Sequence, residues 1–235
     1  MALPIVEVPK YSVTIPSTGE SVVYRPYLVK EEKILMIAME SENQEQVLRA
    51  VKEIIAACTF NKVNVDTLAM FDLEYIFLNL RAKSVGEVSK IGLKCGECQT
   101  TNDVEIHLDT LKVTMPEEDY STVMITDKIG VKLRYPTVKD ATTIAKVDLT
   151  GADAAIKTII ACIDNIFDDE RVYPAKDHTP KELEQFVDSL NAEQFGRMQK
   201  FFESMPSLEG TVKYDCIKCG HHNELLIKGL ANFFG

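Results

Sequence analysis

The residues best suited to chemistry are four cysteines in two pairs, Cys95-Gly-Glu-Cys98 and Cys216-Ile-Lys-Cys219. Two thiolates spaced this way in a tight turn point in one direction and supply half of a tetrahedral site. Two such turns complete it, with zinc–sulfur distances near ~2.3 Å. Gly96 lies inside the first turn and Gly220 just after the second. Three arrangements fit the pattern. A thioredoxin-like redox pair requires Cys-x-x-Cys at a helix N-terminus after a strand, but the polar turn sequences Gln99-Thr-Thr-Asn102 and Gly220-His-His-Asn223 follow instead. Two separate half-sites, each completed by a partner or by His221 and His222, form the second arrangement. The favoured third is one structural zinc per chain, held jointly by Cys95, Cys98, Cys216 and Cys219. Four thiolate ligands leave no position for a catalytic water.

Other candidate groups point to packing rather than chemistry. Cys58 and Cys162 occupy matched positions in apolar helical sequence and read as small core hydrophobes. His107 and His178 have no Ser, Cys or carboxylate partner at a recognisable spacing. The chain contains no nucleophile elbow, Gly-rich phosphate loop or His-Glu-x-x-His. Acidic pairs such as Glu117-Glu118 and Asp168-Asp169 read as solvated loops. Phe195, Met198, Phe201 and Phe202 follow helical spacing and belong to a core.

The elements that must position the cysteines are written twice. Tyr11 to Arg25 alternates apolar and polar residues around Ser-Thr-Gly, a hairpin signal. Val123 to Arg134 repeats it, turning at Asp127 to Gly130. Each hairpin ends in Arg, followed by a Pro and then by Val29-Lys30-Glu31 or Val138-Lys139-Asp140. Val51 to Cys58 is echoed by Ile156 to Cys162. In the first copy Val47, Val51, Ile54, Ile55 and Cys58 share one helical face, with Ser41 and Gln44 expected as its capping box. Further helices are expected at Asp66 to Lys83 and at Asn191 to Ser204, the latter capped by Asn191 and Gln194. Strand pairs flank both knuckles, at Lys90–Leu93 with Val104–Leu108 and at Val212–Tyr214 with Leu225–Ile227. The reading is an internally duplicated α+β chain, hairpin–helices–knuckle twice, sharing a four-cysteine zinc-ribbon-like site. Its halves are residues 1–113 and 114–235. The second carries about 16 extra residues, placed at a helix opened by Thr179-Pro-Lys-Glu182 and continued through Leu183, Phe186, Val187 and Leu190.

At 235 residues, 46% hydrophobic and 26% charged, the chain can bury an ordinary globular core. A net charge of -10 disfavours nucleic acid and anionic membranes as partners. The start has no basic segment followed by an apolar run, and Ile34 to Met39 is too short to span a bilayer. A reducing cytoplasm is therefore expected, where spaced cysteines serve as metal ligands more readily than as disulfides.

Asp72 to Glu87, running into Lys94-Cys-Gly-Glu-Cys98, resembles the baseplate hub proteins of T-even-like contractile-tailed bacteriophages, and Gly210 to Cys219 is similar to the same family. The resemblance implies a non-catalytic structural or assembly role in a tail baseplate, made in the host cytoplasm and carried in the virion. Other baseplate or tail proteins are the implied partners. Residues 1–10, punctuated by Pro4 and Pro9, and residues 229–235, with Phe233 and Phe234, are the expected docking segments. The alternative is a zinc-ribbon nucleic-acid-binding regulator using Lys94, Lys213, Lys218 and Lys228. Glu97, Asp103, Glu105, Asp215 and Glu224 dilute that basic charge.

Overall fold

The computed structural model describes residues 6–145 and 151–229. Docking segments expected at the termini thus lie outside the described residues at 1–5 and 230–235. The chain folds as two compact units, one formed by residues 1–114 and 207–235, the other by 115–206. These units are not the expected halves 1–113 and 114–235, because residues 207–235, with the second knuckle, fold with the first unit.

The first unit opens with the hairpin β1 (Tyr11–Thr14) and β2 (Ser21–Tyr24). Three helices follow, α1 (Val29–Glu40), α2 (Gln44–Cys58) and α3 (Met70–Ser84), and α2 packs on both neighbours. The expected apolar face of α2 is buried through Val51, Ile54, Ile55 and Cys58. Its cap differs from expectation. Asn43 accepts the N–H groups of Glu45 and Gln46, while the Ser41 hydroxyl donates to Ala38 and closes α1. Because α1 ends so close to α2, Ser41 is consumed by the earlier helix. Residues 65–67 form a separate 3₁₀ turn, so α3 starts later than the apolar pattern suggested. Asp72, fully buried on α3, accepts both the backbone N–H (3.0 Å) and the hydroxyl (2.5 Å) of Ser17 and so pins the β1–β2 turn. Burial nevertheless raises its carboxyl above the usual range. The unit continues with β3 (Val88–Lys94), β4 (Thr101–His107) and the short β5 (Lys112–Val113).

The second unit begins with β6 (Thr122–Met124) and β7 (Gly130–Leu133), then α4 (Val138–Ala145) and α5 (Gly151–Ala161). Strands β8 (Ile163–Phe167) and β9 (Val172–Pro174) extend the hairpin into an antiparallel sheet ordered β6-β7-β8-β9. Asp168 is structural, accepting the Glu170 and Arg171 N–H groups and the Tyr173 hydroxyl at the β8–β9 turn. Helix α6 (Pro180–Asp188) has the expected Thr179–Glu182 capping box with Pro180 at its first position. Helix α7 (Ala192–Glu203) is capped by Asn191 and Gln194. Val131, Leu133, Ile159, Ile163, Leu183, Met198 and Phe201 form the core, with Phe195 and Phe202 packed against it. The chain then returns to the first unit as β10 (Leu208–Asp215) and β11 (His222–Lys228), where β10 pairs with β5 and packs on α3. Among the described residues no helix is long and apolar enough to cross a membrane.

One local device occurs in each unit. The Arg25 N–H donates to the Cys58 carbonyl (3.0 Å), and that of Arg134 to Cys162 (2.8 Å). Each guanidinium donates to the next carbonyl, Pro26 or Tyr135, and to an acid six residues on, Glu31 (2.9 Å) or Asp140 (2.6 Å). That acid in turn accepts an N–H at the helix start, from Leu28 or Thr137 (2.8 Å each). Burial alone would raise both carboxyls, but the Arg hydrogen bonds and the N-terminal N–H groups outweigh it and hold them below the ordinary range. Cys58 and Cys162 are fully buried beneath the pairs, and burial pushes their thiols up to about 11 and about 12, so they stay protonated and inert.

The first pair is the more deeply buried, with side chains 14% and 5% exposed against 37% and 15% for Arg134 and Asp140. Glu31→Gln should therefore destabilise by about 3 kcal/mol, because it leaves the Arg25 cation unmatched, and Asp140→Asn by less. Both carboxyls are depressed in the folded state. Their contribution is present above the unfolded carboxylate range near ~4 and lost as pH falls through the lower folded values. Thermal unfolding followed from pH 7 to pH 2 should show the gap between wild type and Glu31→Gln closing in acid. A gap that stays constant with pH would remove the ion pair as its cause.

Candidate metal centre

The two knuckles are turns of the same construction. Strands β3 and β4 pair with Val88 opposite His107 and Lys94 opposite Thr101; β10 and β11 pair with Glu209 opposite Lys228 and Asp215 opposite His222. In the first turn the Cys95 N–H donates to the Thr100 carbonyl (2.9 Å), and the Gln99 N–H to the Cys95 carbonyl (3.0 Å). In the second the Cys216 N–H donates to His221 and the Gly220 N–H to Cys216, both at 2.9 Å. Gln99 and Gly220 occupy the same left-handed position, with φ of 57° and 70°. Glycine meets that requirement without strain. Gln99 meets it with its side-chain amide donating to Gly96 (3.3 Å).

These turns bring together all four cysteines singled out by spacing. Their sulfurs lie within 4.8 Å of one another. Cys95 Sγ is 3.7 Å from Cys219 Sγ, and Cys98 Sγ is 3.5 Å from Cys216 Sγ. A disulfide would need about 2.05 Å. A tetrahedron with ~2.3 Å metal–sulfur bonds has edges of ~3.8 Å, so this set could hold a metal ion after small shifts. Cys95 and Cys216 are buried, Cys98 is half-buried and Cys219 is exposed, which leaves the site at the edge of the unit. His221 contributes its backbone, and the His222 ring sits 2.8 Å from Asp215, away from the sulfurs' own partners.

The thiols do not ionise alike. Hydrogen bonds from the Thr100 hydroxyl and N–H bring Cys98 down to about 6. The N–H groups of Cys98 and Glu97, with the Asn223 amide, lower Cys95. For Cys219 the His221 N–H acts downward, but sharing protons with Cys98, Cys216 and Cys95 outweighs it and pushes the thiol up to about 12. Once two neighbours carry charge, a further thiolate is opposed by like-charge repulsion. Only a cation allows all four to ionise together.

Two residues missed by the motif complete the site. Asn102 and Asn223 are buried, each four residues beyond the second cysteine of its knuckle. Each donates to a carbonyl of its own turn, Asn102 to Thr100 (2.8 Å) and Asn223 to His221 (2.9 Å). Each also accepts an N–H from the opposite knuckle, Asn102 from Ile217 and Asn223 from Gly96, both at 2.9 Å. Two of these hydrogen bonds stay within a turn and two cross between the turns, reciprocally, as a pseudo-two-fold axis between them requires. The signal was present as Cys-x-x-Cys-x-x-x-Asn written twice.

No curated protein and no solved structure matches the chain. One family model does, that described as T4 bacteriophage base plate protein, and it matches residues 8–235. Since that match takes in both knuckles, both hairpin–helix segments and nearly the whole chain, the protein belongs to the T4-like phage baseplate protein family.

Proposed function

We infer that this baseplate protein is a non-catalytic structural or assembly component of the tail baseplate hub, made in the host cytoplasm. It is internally duplicated over residues 1–113 and 114–235 and stapled by one structural zinc on Cys95, Cys98, Cys216 and Cys219. The carrying observation is the reciprocal seating of the two knuckles, four sulfurs within 4.8 Å and each Asn bonded across to the other turn. Duplication is supported by the repeated Arg–acid–Cys device and by the identical knuckle hydrogen bonds. An ion in this place acts as a clasp, neutralising four thiolates and joining residues that are distant in the chain. The nucleic-acid alternative gains no support. Of the four lysines it would use, Lys213 and Lys228 sit 3.1 and 3.3 Å from Glu224 and Glu209 on the facing strand, so their charge is offset within the hairpin.

Metal analysis of protein prepared without oxygen should give one zinc per chain; none, or two, overturns the shared clasp. Cys95→Ser and Cys216→Ser should each lose zinc and lower the melting temperature, while Cys58→Ala and Cys162→Ala keep zinc at a cost of about 1–2 kcal/mol. Both hairpins of the clasp lie in the first unit. On chelation, amide-exchange protection should therefore fall at 88–107 and 209–228 and persist at 122–203.

Reciprocity makes a second prediction. Asn102→Ala and Asn223→Ala each remove a buried amide together with the cross-knuckle hydrogen bond it accepts, and each should cost about 1–3 kcal/mol. As outer-shell partners they should also weaken zinc retention about 10–100-fold in competition with a chelator. A silent variant at either position would break the two-fold reading.

The partners are other baseplate or tail proteins, engaged through residues 1–10 and 229–235. Deleting residues 1–8 should leave melting unchanged and reduce incorporation into baseplates assembled in infected cells. Undiminished incorporation would reject the N-terminal segment as a docking element.

A further inference from the structure

Helix α1 is apolar on the side that the fold does not use. It buries Glu31, Leu35 and Ala38, and turns Val29, Met36 and Ile37 outward at 65%, 56% and 67% exposure, with Ile34 at 41% on the flank. Val29, Lys33, Met36, Ile37 and Glu40 fall on one face by the 3.6-residue period. An outward Met36 and Ile37 in the body of a 12-residue helix, with Val29 outward at its start, is not what solvent favours.

The fold does not demand this face. In the second unit α4 starts from the same Arg–acid device, and its residues at the places of Lys33 and Ile34 are Thr142 and Thr143, whose hydroxyls donate back to the Val138 and Lys139 carbonyls. Val138, at the place of Val29, is fully buried. By sequence Ala145 and Lys146 stand at the places of Met36 and Ile37, so the apolar pair on α1 is not repeated after the shared Arg–acid start and has another use.

We propose that the outer face of α1 pairs with α1 of a second copy of this chain, antiparallel, about a two-fold axis between Met36 and Ile37. The charge pattern selects this occupant. In that register Met36 meets Ile37 of the second copy, and Lys33 meets its Glu40, so the set Lys33, Met36, Ile37, Glu40 maps onto itself. An apolar centre is flanked by two opposite-charge pairs, the self-complementary arrangement an isologous contact requires. A parallel pairing sets Lys33 against Lys33 and Glu40 against Glu40, and like charges oppose it. The helix is only about 18 Å long, so the contact is smaller than the ~800 Å² per partner of a stable complex. Self-association is therefore weak in free solution and strengthened where copies are held close in an assembly.

Sedimentation of the full zinc-loaded chain over a concentration series tests the proposal. Wild type should show a reversible monomer–dimer equilibrium, and Ile37→Asp should abolish it with melting unchanged. Lys33→Glu and Glu40→Lys should each weaken it at least tenfold. An equimolar mixture of these two single variants should associate again, because the heterodimer restores both opposite-charge pairs, and the chain carrying both changes should self-associate like wild type. A wild type that stays monomeric at millimolar concentration, or a dimer indifferent to Ile37→Asp, overturns the proposal. So does a mixture that fails to associate, which would assign the face to a different baseplate protein.

Discussion

Four thiol sulfurs within 4.8 Å are the constraint on which the first unit depends. Protonated, they are weak partners that hold nothing together; ionised, they repel. The protein answers part of this with backbone. Each knuckle offers its N–H groups to sulfur and fixes its turn by the same pair of hydrogen bonds, so the sulfurs are gathered by the fold itself. Gathered donors reduce the ordering that a metal ion would have to impose, so most of its binding free energy could appear as stability.

The placement of the four sulfurs decides which part of the chain a metal ion there would stabilise. The chain leaves the first unit after Thr114 and re-enters it at Ser207. The second unit has its own apolar core, drawn entirely from residues 123–201. It needs no ligand from either knuckle. The first unit does need its last two strands, since β10 pairs with β5 and packs on α3. Closing a loop as long as the one between the knuckles is costly once and grows only slowly with length. A large folded insertion between the two cysteine pairs is therefore tolerated, and their long spacing in sequence follows from it.

What the sequence made legible was local. Cys-x-x-Cys, the Thr179–Glu182 and Asn191–Gln194 caps, the hairpins and the α2 core face depend on residues within a turn or two of each other, and the structure has them. What escaped depends on distant partners. Helix α1 hid because its apolar residues surround it, so no single face announced a helix. Glu31 stood in the sequence only as the acid of a repeated Val-Lys-acid triplet, and it is buried because Arg25 reaches it from just after β2. Asn102 and Asn223 looked like turn residues, and their work lies in the opposite knuckle. Ser41 was a plausible cap whose hydroxyl the preceding helix had already taken.

The two Arg–acid pairs show how one local solution serves two environments. The geometry is the same in both, since an arginine at the end of a hairpin must satisfy its guanidinium as it passes beneath a helix start, and an acid at that start satisfies the helix N–H groups as well. Glu31 and Asp140 differ by one methylene, and the longer acid lies beneath the more deeply buried arginine. Around this shared frame the two helices differ, with Thr142 and Thr143 on α4 where α1 carries Lys33 and Ile34. A frame that fixes the helix start by hydrogen bonds leaves the far side of the helix free to change without loss of fold. In a phage baseplate protein, that far side is where the two helices can differ without cost to the helix start.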